Sequence, residues 1–178
     1  MQHKCDLGSD RIKVFFSSSM ANARYMEQRL SVRSFFERMK PLYHWYFIEE
    51  HASPNPVKKE YTEEVVNSDI VIVVLQSNLR AGVQKEYETA QRAGKRIFCF
   101  EHSGRKTQSL KNFIGKVRLS ITTTKFDDTR DLIDKIEHNL LSDLVKEYVR
   151  LYEENKRLRE AVSGPSSSES ITMPDLER

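Results

Sequence analysis

Long apolar runs, cysteine and glycine are all scarce in this 178-residue chain, which has two Cys, six Gly, five Pro and one Trp. Each scarcity excludes something. No run approaches the roughly 18 apolar residues of a membrane-spanning helix, and the N-terminus lacks the apolar core of a signal peptide. A cytoplasmic, reducing location is therefore expected, with no membrane partner. Cys5 and Cys99 stand alone, without paired Cys or His at metal-ligand spacing, so neither a disulfide framework nor a metal site is expected. The few glycines include no P-loop. Charge of one sign is also in short supply: Lys and Arg number 29 and Asp and Glu 26. With no coherent basic stripe, nucleic acid is not an expected partner.

What is present is a globular composition, 38% hydrophobic and 31% charged. The length suits one core plus an appendage. Residues 12–16 (IKVFF) read as a buried strand that stops at Ser17-Ser18-Ser19. From Asn22 to Lys40 the pattern is helical, with Met26 and Leu30 on one stripe and Tyr25, Val32, Phe36 and Met39 on another. Pro41 ends it, and 42–48 (LYHWYFI) form an aromatic strand closing on Glu49-Glu50. A Pro-containing loop leads to a short helix at 57–67. Residues 70–75 (IVIVVL) are apolar on both faces, as a central parallel strand requires. Val83, Tyr87, Ala90 and Gly94 recur at helical spacing, then come a strand at 96–100, a helix at 107–116 and a last strand at 117–122. Alternation of this kind specifies an α/β fold, a parallel sheet of about five strands with helices on both faces.

The segment from 126 to 162 is rich in Glu, Lys, Arg and Leu and has no internal Gly or Pro. Leu132, Ile133, Ile136 and Leu140 can pack back on the domain. Leu141, Leu144, Tyr148, Leu151, Asn155, Leu158 and Val162 follow a heptad, with Asn155 at an a position. Either a single amphipathic cap or a coiled coil fits, and a homodimer or higher oligomer through this helix is the expectation. The chain thus divides into an N-terminal segment (1–10), the α/β domain (11–125), the long helix (126–162) and a tail (163–178) of disordered composition.

Open parallel sheets bind ligands outside the carboxyl ends of their strands. Those positions are Ser17 to Met20, Glu49 and Glu50, Gln76 to Gly82, and Glu101 to Gly104. The serines suit either a phosphate or ribose contact or a helix cap. Glu86 lies on the border of the Val83, Tyr87, Ala90 stripe, one turn into its helix. It can face a ligand, or simply favour the helix dipole. Asp69 reads as a strand-entry residue, Trp45 and Tyr46 as sheet faces, and Arg105 and Lys106 as solvated charges.

The succession KVFFSSSM, an acidic pair after the second strand, NSDIVIVVL and QKEYETAQRAGKRIFCF resembles the TIR-like and nucleoside 2-deoxyribosyltransferase-like group. The likeness covers about residues 11–101 and is nearest to TIR-like domains of prokaryotic defence and signalling proteins. It implies a flavodoxin-like or TIR-like sheet and a catalytic carboxylate at Glu86, with Ala90 four residues on. It also implies nucleotide contacts from Ser17, Ser18, Ser19, Glu49, Ser77 and Asn78. The implied ligand is NAD or another nucleotide, with no tightly bound cofactor. Some motif positions depart: Val83-Gln84 stand where TIR domains often carry Trp-Cys, and Glu88 where deoxyribosyltransferases often carry Gly. Two functions follow as expectations. One is a nucleotide or NAD N-glycosidase or deoxyribosyltransferase-like enzyme; the other is a non-enzymatic assembly module. A receiver domain is set aside, because Gln76-Ser77 occupy the place of its phosphorylatable Asp.

Overall fold

Six consecutive apolar residues become the centre of the sheet. A computed structural model describes residues 11–47 and 57–162. The elements run β1 (Ile12–Ser18), α1 (Ala23–Arg38), β2 (Tyr43–Tyr46), α2 (Val57–Asn67), β3 (Ile70–Leu75), α3 (Ala81–Arg92), β4 (Arg96–His102), α4 (Gln108–Arg118), β5 (Thr123–Phe126) and α5 (Thr129–Val162). The five strands pair in the order β2-β1-β3-β4-β5, all parallel. Glu49, Glu50, the N-terminal segment and the tail from 163 lie outside the described residues.

Every residue of β3 is buried because the sheet is covered on both sides. Successive side chains alternate between faces. Phe15, Val71, Val73 and Leu75 join Val83, Tyr87 and Ala90 of α3 and Leu110, Phe113, Ile114 and Val117 of α4 in one core. On the other face Phe16 stacks on Phe47, and Phe36 of α1 packs its ring against Tyr43, Trp45 and Phe47. Leu132 and Ile136 of α5 are also fully buried. Trp45 and Tyr46 are sheet-face residues as expected, Tyr46 stacking on Phe15. Asp69 anchors strand entry: its carboxylate accepts the Lys13 N–H at 2.8 Å, and its own N–H donates to the Lys13 carbonyl.

Three local readings change. The last strand is Thr123–Phe126 rather than 117–122, because Val117 continues the inward row Leu110, Phe113 and Ile114 and keeps α4 helical through Arg118. On α1, Leu30 is half exposed, while Gln28, Arg29 and Phe35 turn inward beside Val32 and Phe36. The cap of that helix is Asn22 rather than a serine, its side chain accepting the Tyr25 N–H at 3.0 Å. Asn22→Ala should lower stability by about 1 kcal/mol in chemical denaturation, since one first-turn donor loses its acceptor. Gly94 ends α3 at φ +64°, a left-handed conformation that suits glycine.

Contacts divide the chain into units 1–137 and 138–178, the division falling within α5. In the second unit the helix exposes Tyr148, Leu151, Leu158 and Val162, and Tyr148 stacks on Tyr152. No helix among the described residues is long and apolar enough to cross a membrane.

Candidate functional site

Strand order reverses direction between β1 and β3, the switch point where doubly wound sheets open a crevice at their carboxyl edge. The end of β1 sets the site's chemistry. Ser17 and Ser18 are not loop residues: both belong to the strand, both are buried, and alternation sends them to opposite faces. Ser17 follows Phe15 toward α3, where its hydroxyl donates a short hydrogen bond to the Glu86 carboxylate. Ser18 follows Phe16 toward α1, where its hydroxyl accepts from the Arg29 guanidinium at 2.7 Å.

Arg29 is 2% exposed and lies over the rings of both Phe16 and Phe47, each centroid 5.4 Å away. A guanidinium lying over two neighbouring aromatic rings retains favourable electrostatics after losing its water. Arg29 and Glu86 therefore reach the strand end from opposite sides of the sheet. Between them lies a cavity of about 330 Å³ lined by Phe15, Phe16, Ser18, Ser19, Met20 and Val83, with Arg80 and Gly82 from the start of α3. This volume is within the range of small-molecule sites. The first turn of α3 borders it, and the leading N–H groups of a helix have no intrahelical acceptors.

Burial pushes the Glu86 carboxyl above the ordinary glutamate range, while the Ser17 hydrogen bond and the Arg29 charge pull it back down. An only partly exposed carboxylate with one hydroxyl donor and a nearby cation can stabilise or capture an electron-poor carbon. Cys99 offers no rival nucleophile here, since burial first and the Glu101 charge next push its thiol up to about 12. No His/Cys/Asp/Glu group among the described residues could hold a metal ion.

The other sequence candidates separate. Ser19 lines the cavity and its hydroxyl accepts the Ala21 N–H at 3.2 Å, so it also shapes the turn. Ser77 hydrogen-bonds the Tyr25 hydroxyl at 2.7 Å and Asn78 is exposed; neither is among the residues lining the cavity. Gln76 donates to Gln28 at 2.6 Å, and Gln28 in turn reaches Thr129 at 3.5 Å, tying β3 to α1 and the start of α5. Arg29 is not among the sequence candidates, and Arg80 is included only within the stretch Gln76 to Gly82. The Arg29 signal was present: Tyr25, Arg29, Val32 and Phe36 fall at helical spacing, which places a cation in an inward row.

No protein-family model matches the sequence, and no curated protein matches it. Solved structures do. A CMP N-glycosidase of Clostridium botulinum, BcmB, superposes with a TM-score of 0.53 at 14% identity, over 70% of this chain and 98% of that one. A 2-deoxyribosyltransferase of Bacillus psychrosaccharolyticus gives 0.51 at 15% identity, over 68% and 90%. The fold is deoxyribosyltransferase-like. A conserved protein of Enterococcus faecalis V583 shares it, with a TM-score of 0.50 at 15% identity over 72% and 99% of the two chains. At such identities the likeness extends to the fold. The chemistry depends on this chain's own side chains.

Proposed function

We propose that the deoxyribosyltransferase-like domain binds a nucleoside or nucleotide in the cavity at the switch point and breaks its N-glycosidic bond with Glu86 as the catalytic carboxylate. The observation that carries this reading is the Glu86 carboxylate, held by Ser17 at the wall of a ligand-sized cavity. When the base departs it takes the C1′–N electron pair and a proton from solvent, leaving C1′ electron-poor. A Glu86 oxygen stabilises that carbon or bonds to it, and water then displaces the carboxylate, releasing the sugar and a proton. If a sugar hydroxyl of a second nucleoside component or another base replaces water, the same steps give transfer. Arg80 at the mouth and the first turn of α3 supply positive potential for a phosphate.

NAD belongs to the same substrate class, because nicotinamide is joined to ribose by an N-glycosidic bond. A place in signalling or defence rests on the TIR-like resemblance of residues 11–101. Heteronuclear NMR titration of the full chain with nucleosides, nucleotides and NAD tests binding. Shifts concentrated at Ser17 to Ala21 and Gly82 to Glu86 support the reading, and an unmoved cavity with every ligand overturns it.

A second reading, assembly through the long helix, is favoured by the exposed heptad face. Tyr148, Leu151, Leu158 and Val162 are exposed, and Glu154 and Arg159 fall at the g and e positions that pair between chains in a parallel coiled coil. The Asn155 side chain donates to the Leu151 carbonyl at 2.9 Å within its own helix, an internal bond that an a-position contact between chains would exchange. The full chain is expected to sediment as a dimer and the double variant Leu151→Glu, Leu158→Glu as a monomer. Two monomers would rule out assembly through the helix.

A further inference from the structure

A second concavity lies at the other side of β4, away from the switch point. It has a volume of about 880 Å³, and its walls carry Arg105, Lys106, Lys111, Arg118 and Lys125 around Glu101. Register explains part of the gathering: Glu101 of β4 pairs with Lys125 of β5. Alternation explains more, because Glu101 lies on the same face as Cys99, the side that α4 covers. Lys111 and Arg118 are seven residues apart on α4 and so share one side of it.

Glu101 is 2% exposed. Its carboxylate accepts a short hydrogen bond from Arg118 and a long one from Thr123 at 3.4 Å, and stands 3.9 Å from the Lys106 ammonium. Arg118 also donates to Thr123 at 3.1 Å, which leaves most of its five N–H donors to spare. One carboxylate thus fixes two cationic heads at the wall. Among the described residues Arg105, Lys111 and Lys125 have no carboxylate partner. Five cations around one buried carboxylate leave a surplus of positive charge inside a concave, partly low-dielectric surface, where a multivalent anion gains most. The walls bear no aromatic ring, and Ile114 is their one large apolar side chain. Nothing there stacks on a base.

We infer that this basic pocket binds a compact polyanion carrying two or more linked phosphates, recognised by charge alone. The site is separate from the Glu86 cavity and does not depend on the glycosidic reading. Its affinity falls with added salt, since most of the cations are exposed.

Calorimetric titration of the full chain with inorganic tripolyphosphate at low salt tests it, with orthophosphate and a single-stranded DNA oligomer as comparisons. Tripolyphosphate should bind about tenfold or more tighter than orthophosphate, and Lys111→Glu with Lys125→Glu should weaken it by at least about tenfold. The same charge change made by Lys40→Glu with Lys85→Glu should alter affinity by less than roughly twofold. Gly115→Glu supplies a second test, because a Cβ at Gly115 meets nothing within 4 Å and its carboxylate would occupy the pocket. It too should weaken binding by at least about tenfold while the thermal melt stays intact. No binding of tripolyphosphate, an equal loss in the Lys40 and Lys85 control, or tighter binding of the DNA oligomer through the same lysines would each overturn the inference.

Discussion

Glu86→Gln should lower the rate of base release by about a thousandfold or more while leaving nucleotide binding within a few-fold. Gln keeps the size of the side chain and an oxygen for the Ser17 hydroxyl, but cannot bond to or neutralise an electron-poor C1′. The same substitution should make the protein more stable at neutral pH. Burial raises the folded-state pKa of Glu86 above its unfolded value, so the folded chain holds the proton more tightly. Stability associated with that proton is present below the unfolded pKa and is lost as pH rises through the folded pKa. The stability difference between Glu86→Gln and the parent should therefore open above the ordinary glutamate range and then level off, as denaturant melts across pH would show. Activity has the opposite dependence. The acid limb of kcat/KM should lie above the ordinary glutamate range, because the ionised carboxylate is the working form. A variant with lower stability at neutral pH and undiminished turnover would contradict both halves.

Arg29→Ala carries the other large effect and links the fold to the site. The side chain is fully enclosed, packs on two rings and donates to Ser18, so its removal leaves a void, unsupported aromatic faces and an uncompensated Glu86 nearby. Loss of a buried, partnered cation of this kind costs about 3 kcal/mol, measurable by chemical denaturation. Because Arg29 is one of the two groups pulling the Glu86 pKa down, the acid limb of activity should move further up in pH. Arg29→Lys should recover part of the stability but less of the packing, since an ammonium cannot lie flat over the rings of Phe16 and Phe47. A loss below about 1 kcal/mol would show that Arg29 is not structural.

Legibility in the sequence followed how local the cause of each feature was. β3 was readable to the residue because six apolar side chains in a row have one common explanation in an α/β chain. Glu86 was readable as the border of the Val83, Tyr87 and Ala90 stripe. β5 was not, since Thr123, Thr124 and Lys125 are polar and their strand state comes from pairing with β4. The direction of Ser17 and Ser18 depended on where β1 ends, two residues later than the apolar run suggested. Ser77 depended on Tyr25, 52 residues away, and no local pattern reports such a contact. Arg29 was not readable as inward-facing, since charged side chains mostly face solvent, although its spacing places it in the inward row. The basic pocket was invisible as a unit, for its cations come from a loop, a helix and a strand.

The decisive assay for catalysis by Glu86 is chromatography of free base after incubating the purified full chain with a panel of nucleosides, nucleotides and NAD. The parent protein should release base from at least one member of the panel, and Glu86→Gln should release none above background. Equal release by both proteins, or none by the parent at high as well as low protein concentration, would contradict catalysis by Glu86.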